Sequence, residues 1–179
     1  MVAMQWIAVD VLKPNPRNAR THSRKQIHQI ADSITAFGFL VPILIDDGGN
    51  IIAGGGRHAA AVLLGLQQVP VIRVEGLSEA KRRALALADN KIAQNAGWDR
   101  EVLASELPEL AELLIVENLD ISITGFAPVE IDQIATELKR LGLPVICIDA
   151  RHAKAVIRAT ATMQLASPAS EVKSVVMAL

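Results

Sequence analysis

Ile51-Ile52-Ala53-Gly54-Gly55-Gly56-Arg57-His58-Ala59-Ala60-Ala61-Val62-Leu63-Leu64 is the stretch whose reading decides the fold. A short β-branched run enters three glycines, and a strong helix-forming run, Arg57 to Leu64, leaves them and is ended by Gly65. The order is strand, glycine turn, helix. Glycines let backbone N–H groups converge, and the start of a helix adds unpaired donors and the positive end of its dipole. Such a corner favours an anion, and Arg57 adds a planar, permanently charged fork suited to phosphate. The alternative is that the glycines only make a tight turn and Arg57 is solvated.

Working outward, the run Phe39 to Ile45 leads into Asp46-Asp47-Gly48-Gly49-Asn50, a turn-rich cluster that predicts a hairpin with Ile51-Ile52-Ala53. Val69 to Val74 reads as a further strand, with Pro70 at an edge or just before the strand proper. Upstream, Trp6-Ile7-Ala8-Val9 predicts a strand, and Pro14 and Pro16 impose a loop. Ser23-Arg24-Lys25-Gln26 has capping-box spacing ahead of Ile27, Ile30, Ala31 and Ile34, a helix that Gly38 stops.

Downstream, Ser78 caps a helix to about Asn95 with Ala80, Ala84, Leu87, Ala88 and Ile92 as its inner stripe. Residues 99 to 120 carry seven acids and one base, and Leu103, Leu107, Leu110 and Leu113 are spaced to be buried. Pro128 opens another helix that buries Ile131, Ile134, Ala135 and Leu138 and ends at Gly142. A strand over Pro144 to Asp149, a short helix over Ala150 to Arg158 and a weakly ordered stretch from Ala159 to Leu179 complete the reading. The fold class is α/β (α+β), a small mixed sheet packed with helices. The expected organisation is a domain over residues 1–95, a helical extension over 96–142 and a tail of different character over 143–179.

Of 179 residues, 51% are hydrophobic and 21% charged, a balance that argues against intrinsic disorder. Eighteen Lys and Arg against nineteen Asp and Glu leave a formal charge of −1, so any basic surface must be local. Cys147, the single cysteine, cannot form an intramolecular disulfide or a Cys-based zinc site. No apolar run approaches the roughly 20 residues of a bilayer span, so no membrane partner is expected and a cytoplasmic location is.

Two further features carry chemistry. Residues 11 to 31 hold Lys13, Arg17, Arg20, Arg24, Lys25 and two histidines with no acid. They would meet a phosphate backbone, or else form a solvated helix start. Asp89-Asn90 on the long helix could reach a metal ion bridging bound phosphates, where the alternative is a pair of surface residues. His58 and His152 have no partners at ligand spacing, and no Ser, Cys or His set for nucleophilic catalysis can be assembled, so no catalytic residue is expected.

Taken in this order, these features resemble the ParB/sulfiredoxin superfamily, specifically the ParB-like N-terminal domain, over about residues 5 to 126. Lys13-Pro14-Asn15-Pro16-Arg17-Asn18-Ala19-Arg20 is similar to its opening loop, and Ile30 to Ile34 with Gly38 to Ile45 to its helix-strand unit. Gly54-Gly55-Gly56-Arg57-His58 stands at its glycine-arginine motif. Leu77 to Lys91, Gly97-Trp98-Asp99 and Thr124-Gly125-Phe126 are similar to the version found in front of DNA-modification methylases.

The resemblance implies a triphosphate pocket for CTP or ATP at Gly54, Gly55, Gly56, Arg57 and His58, with magnesium held by Asp89 and Asn90. It also implies DNA as a partner, met by Arg17, Arg20, Arg24 and Lys25, and a possible homodimer. Several departures bear on these expectations. The turn lacks the cysteine of sulfiredoxin-like enzymes, which sets sulfinic-acid reduction aside. Gly55-Gly56-Arg57 replaces the partition proteins' Glu-Arg-Arg, Gly55 stands where methylase-associated relatives have His, and Asp89 replaces a Glu. No Asp-Pro-Pro-Tyr segment or second cofactor loop follows. Residues 141–155 instead resemble an internal stretch of DEDD-type transposases, which suggests the truncated front of a modification methylase. The competing expectation is a ParB-like nuclease or nucleotide triphosphatase acting through the same pocket. A third is a remnant that folds and binds nothing.

Overall fold

The computed structural model describes residues 3–140. Four strands form one mixed sheet: β1 (Met4–Ala8), β2 (Ile43–Ile45), β3 (Ile51–Ala53) and β4 (Gln68–Arg73), in the order β1-β4-β2-β3. The helices are α1 (Arg24–Phe37), α2 (Gly55–Leu63), α3 (Glu79–Asn95), α4 (Arg100–Val116) and α5 (Pro128–Arg140), with 3-10 turns at Val9–Val11 and Ile121–Thr124. This is the mixed α and β architecture the sequence predicts. The described residues divide into two compact units, residues 3–98 with Ser122–Gly125, and Asp99–Ile121 with residues 126–140.

In the first unit the hairpin forms as expected, β2 against β3 antiparallel around the Asp46–Asn50 turn. β4 runs parallel to β2 and antiparallel to β1, which makes it an interior strand. The expectation that Pro70 marks an edge or precedes the strand is therefore corrected, because Pro70 is the third residue of β4 and fully buried. An interior proline is tolerated here because β2 begins opposite the next residue: Ile43 pairs with Val71, so no ladder bond is lost at Pro70. Ile43, Ile45, Val69 and Val71 project from the sheet into the core, joined by Ala61 of α2 and by Val9 and Leu12. Each such aliphatic side chain contributes about 1.5–3 kcal/mol on burial.

The strand expected over residues 39–45 is shorter. Gly38 turns the chain with φ of +83°, Leu40 N–H donates back to Gly38 O, and Pro42 offers no N–H. Leu40 and Val41 are left exposed. The capping prediction for α1 holds in half: Ser23 Oγ accepts from Gln26 N–H at 3.1 Å, but the Gln26 side chain turns to His22. Ser78 likewise caps α3 through Lys81 N–H.

The inner stripe expected on α3 is not observed. Leu87 and Ile92 are exposed, Ala80 and Ala84 lie outward, only Ala88 of the five is half-buried, and no residue of α3 is fully buried. The face containing Arg82, Leu85, Ala86 and Asn90 is the half-buried one. The inward face thus mixes apolar Leu85 and Ala86 with polar Arg82 and Asn90, and a purely hydrophobic period misplaces it.

In the second unit α4 is capped by Asp99, which accepts from Glu101 and Val102 N–H, and packs with α5, where Arg100 pairs with Glu137. Leu107 is buried as expected, whereas Leu113 is exposed and Ala104, Pro108 and Leu114 take inner positions. The expectations for Gly142, for the strand, helix and tail beyond it, and for the transposase-like residues 141–155 lie outside the described residues.

Candidate functional site

β3 delivers the chain to Gly54, which sits in the left-handed region with φ of +97°, a conformation only glycine adopts without strain. A Cβ at this position would lie 2.8 Å from the Arg57 Nη2, because the guanidinium folds back over the turn. Gly54 alone reverses the chain, so α2 begins at Gly55 and not at Arg57 as the sequence reading had it. Gly55 and Gly56 form its first turn because neighbours crowd them. A Cβ on Gly56 would lie 3.0 Å from both His22 Cε1 and Ile30 Cδ1, and one on Gly55 3.3 Å from Asn18 Nδ2.

The N-cap residue has no side chain to offer, and none of the N–H groups of Gly55, Gly56 and Arg57 donates to backbone outside the helix. First-turn amides have no intrahelical acceptor either, so three aligned donors remain. They line a cavity of about 300 Å³ together with Arg57, Asp89 and Asn90. Burial pulls the Arg57 guanidinium below its ordinary pKa and Asp89 pulls it back, and it stays a cation at neutral pH. Its Nε is buried without a hydrogen-bond acceptor. A half-buried guanidinium whose buried Nε has no acceptor, beside unpaired amides, offers convergent donors suited to an anion.

His58 plays a different part from the one its position suggests. Its Nε2 donates to Val9 O at 3.3 Å, bracing α2 against the 3-10 turn after β1. Asp89 and Asn90 do reach the cavity wall. Asn90 Nδ2 donates to Ala86 O at 2.9 Å, which leaves its carbonyl oxygen free. One carboxylate and one amide oxygen fit a magnesium ion whose other ligands are phosphate oxygens and water. Among the described residues no group of three His, Cys, Asp or Glu could hold a metal unaided.

The opposite wall is the proline-rich loop, and here sequence reasoning missed Asn15, Asn18 and His22. Lys13 straps the loop to the hairpin turn, its N–H donating to Gly49 O and its carbonyl accepting from Ile51 N–H. Asn15 Oδ1 accepts from Arg17 N–H and Asn18 Oδ1 from Arg20 N–H, two side-chain turns that fix the loop's course. Asparagines two residues ahead of their partners, Asn15 between two prolines and Asn18 just after them, were the available signal. Of the four predicted DNA-contacting residues, none lines this cavity. Arg24 and Lys25 are exposed at the start of α1 and Arg20 is half-buried, while Arg17 reaches Glu79 at 3.6 Å.

Asp46, read only as a turn residue, is a buried carboxylate behind the same loop. It accepts from Gly48 N–H, from Asn50 N–H and from Asn50 Nδ2, and Arg82 stands 3.6 Å away. Burial alone would raise its pKa, but the bonds from Asn50 and Gly48 and the charge of Arg82 prevail and hold it below the ordinary carboxylate value. Arg73 donates to the Asp46 and Asp47 carbonyls, tying the hairpin turn to β4.

A glycine-arginine corner at the N-terminus of a helix, sharing its cavity with a proline-asparagine loop, marks the class as a small α/β module built around that corner. The chain belongs to the ParB N-terminal domain family, whose model matches residues 2–91. It is similar to the ParB-like nuclease domain-containing protein YnaK of Escherichia coli, at 47% identity over 72 residues, 40% of this chain and 83% of the relative. It is also similar to the chromosome-partitioning protein Spo0J of Thermus thermophilus, at 37% identity over 83 residues, 44% of this chain. The chain spans 30% of the length of that relative and 49% of the probable partitioning protein ParB of Rickettsia bellii. Among solved structures it resembles the C-terminally truncated chromosome-partitioning protein ParB of Caulobacter crescentus complexed with CTP-gamma-S. That match has a TM-score of 0.60 and 26% identity, covering 92% of this chain and 97% of the other. No helix among the described residues is long and apolar enough to cross a membrane.

Proposed function

We propose that the chain is a DNA-binding module of the ParB type whose glycine-arginine corner binds a nucleoside triphosphate, CTP in the first instance and ATP as the alternative. One observation carries this reading: three first-turn amides and a half-buried guanidinium with an unused donor line the same cavity. The Caulobacter protein complexed with CTP-gamma-S supports it by analogy of fold. Gly54, Gly55, Gly56 and Arg57 hold the phosphates, His58 acts through its bond to Val9, and Asp89 with Asn90 would hold magnesium on the far wall. Arg17, Arg20, Arg24 and Lys25 meet the DNA backbone from an acid-free stretch. An origin in front of a DNA-modification methylase, location in the cytoplasm and association of two copies belong to the same proposal.

Labelled CTP and ATP are titrated into the chain with and without duplex DNA at two salt concentrations. A saturable CTP signal that Arg57→Gln lowers at least tenfold, together with salt-dependent duplex affinity, is the expected result. Absence of any nucleotide signal refutes the pocket, and salt-independent DNA affinity refutes the basic face. A second reading, a nuclease or nucleotide triphosphatase using the same cavity, is favoured by the name borne by the relative at 47% identity. Metal-dependent turnover that Asp89→Ala abolishes while DNA binding persists would select it.

A further inference from the structure

The proline-asparagine loop has a second side. Behind it lies another cavity, of about 290 Å³, into which Arg17 of the loop and Arg82 and Arg83 of α3 converge. Three guanidinium groups face two carboxylates, Asp46 and Glu79. Neither acid satisfies them. Asp46 is already taken up by Gly48 N–H and by the backbone and side chain of Asn50, so Arg82 approaches it only to 3.6 Å. Glu79 lies 3.6 Å from Arg17 in an exposed pair, both side chains about 70% accessible, and such pairs stabilise little. Among the described residues none of the three guanidiniums donates a hydrogen bond within 3.5 Å, and Arg83 has no ion pair. Planar forks drawn from two elements and left without acceptors match a tetrahedral oxyanion, which takes several such donors at once.

We propose that Arg17, Arg82 and Arg83 form a second phosphate-binding site, separate from the glycine-arginine corner. Glu79 is the internal competitor that a phosphate displaces from Arg17. The site deepens the DNA-binding reading and rests on it for its main source of phosphate, the backbone of a duplex, with a free polyphosphate as the other source. It moves part of the basic face from the start of α1 to α3, onto residues that sequence reasoning did not select.

The test uses the full chain and four substitutions read by fluorescence anisotropy with a labelled duplex, and by competition with pyrophosphate. Arg83→Gln lowers duplex affinity about tenfold and flattens the log–log salt slope by about 0.9. Lys81→Gln removes the same charge from α3 outside the cavity and changes affinity less than twofold. Glu79→Gln frees Arg17 and raises affinity, an effect that a general loss of stability cannot imitate, and Arg83→Lys recovers only part of the loss because it lacks the fork. Equal losses for Arg83→Gln and Lys81→Gln overturn the site while leaving DNA binding intact. If the chain binds no duplex but binds pyrophosphate in an Arg83-dependent way, the DNA reading fails and the phosphate site stands with the free anion as its source. Binding of neither probe overturns the site.

Discussion

Two helices line the candidate cavity, and they are packed into the fold differently. α2 packs Gly56, Ala60 and Ala61 out of solvent against the sheet and α1, so its first turn is held by close contact behind the cavity it lines. α3 is nearly twice as long and fully buries no residue; it is attached through half-buried Leu85, Ala86, Ala88 and Asn90, with Arg82 standing 3.6 Å from Asp46. The difference teaches that this cavity joins a closely packed helix to one that is held only by half-buried contacts. Rigid amides cost nothing to organise when an anion arrives.

The contrast can be broken or sharpened by substitution. Ile43→Ala, in the fully buried sheet core beneath α2, is expected to cost about 2–5 kcal/mol in a urea melt. A cost below 1 kcal/mol would mean the floor is not rigid. Asp46→Asn removes the anchor of the hairpin turn and the partner of Arg82, with an expected loss of about 1.5–3 kcal/mol at neutral pH.

The pH dependence of that variant has a definite sign. The native carboxyl titrates below its ordinary value of 3.8, so it contributes stability above that pH, which disappears as pH falls through the lower native value. Urea midpoints should therefore separate wild type from Asp46→Asn most at pH 7, and the gap should narrow as pH falls below 3.8 toward the lower native value. Gly56→Ala places a methyl group against His22 and Ile30 and should cost about 1–2 kcal/mol, with a parallel loss of nucleotide affinity if the corner is the receptor. Leu87→Ser on the exposed face of α3 should change stability by less than about 0.5 kcal/mol, and a larger effect would show that this face is held by apolar contact after all.

The same contrast explains what could be read from the amino-acid sequence. Where local rules and burial agree the reading succeeds: Ser23 and Ser78 cap the helices assigned to them, the Asp46–Asn50 turn joins β2 to β3, and Gly54 carries the positive φ. α3 defeats it, because periodicity assumes that an inward face is apolar, and here that face carries Arg82, Asp89 and Asn90. Pro70 defeats it differently. Whether a proline is tolerated depends on where the neighbouring strand begins, which is a property of β2 and not of the residues around Pro70. Asn15, Asn18 and His22 lie in a loop whose composition announces a turn, but only Lys13's bonds to the hairpin bring it over the glycines. Asp46 looked like turn chemistry and is that, yet its burial follows from Arg73 and Arg82 approaching from distant elements.

β1 leaves one consequence for synthesis. It precedes the other described strands in the chain and its partner is β4, so that during translation Met4 must wait for Ile72 and Gln5 for Val71. The β2–β3 hairpin, whose strands are neighbours in the chain, can close while β1 still dangles near the ribosome. Until β4 is extruded, the β1 backbone is unpaired and Ile7 lacks the core it packs against, and a nascent chain stalled before Gln68 would leave both open to chaperones.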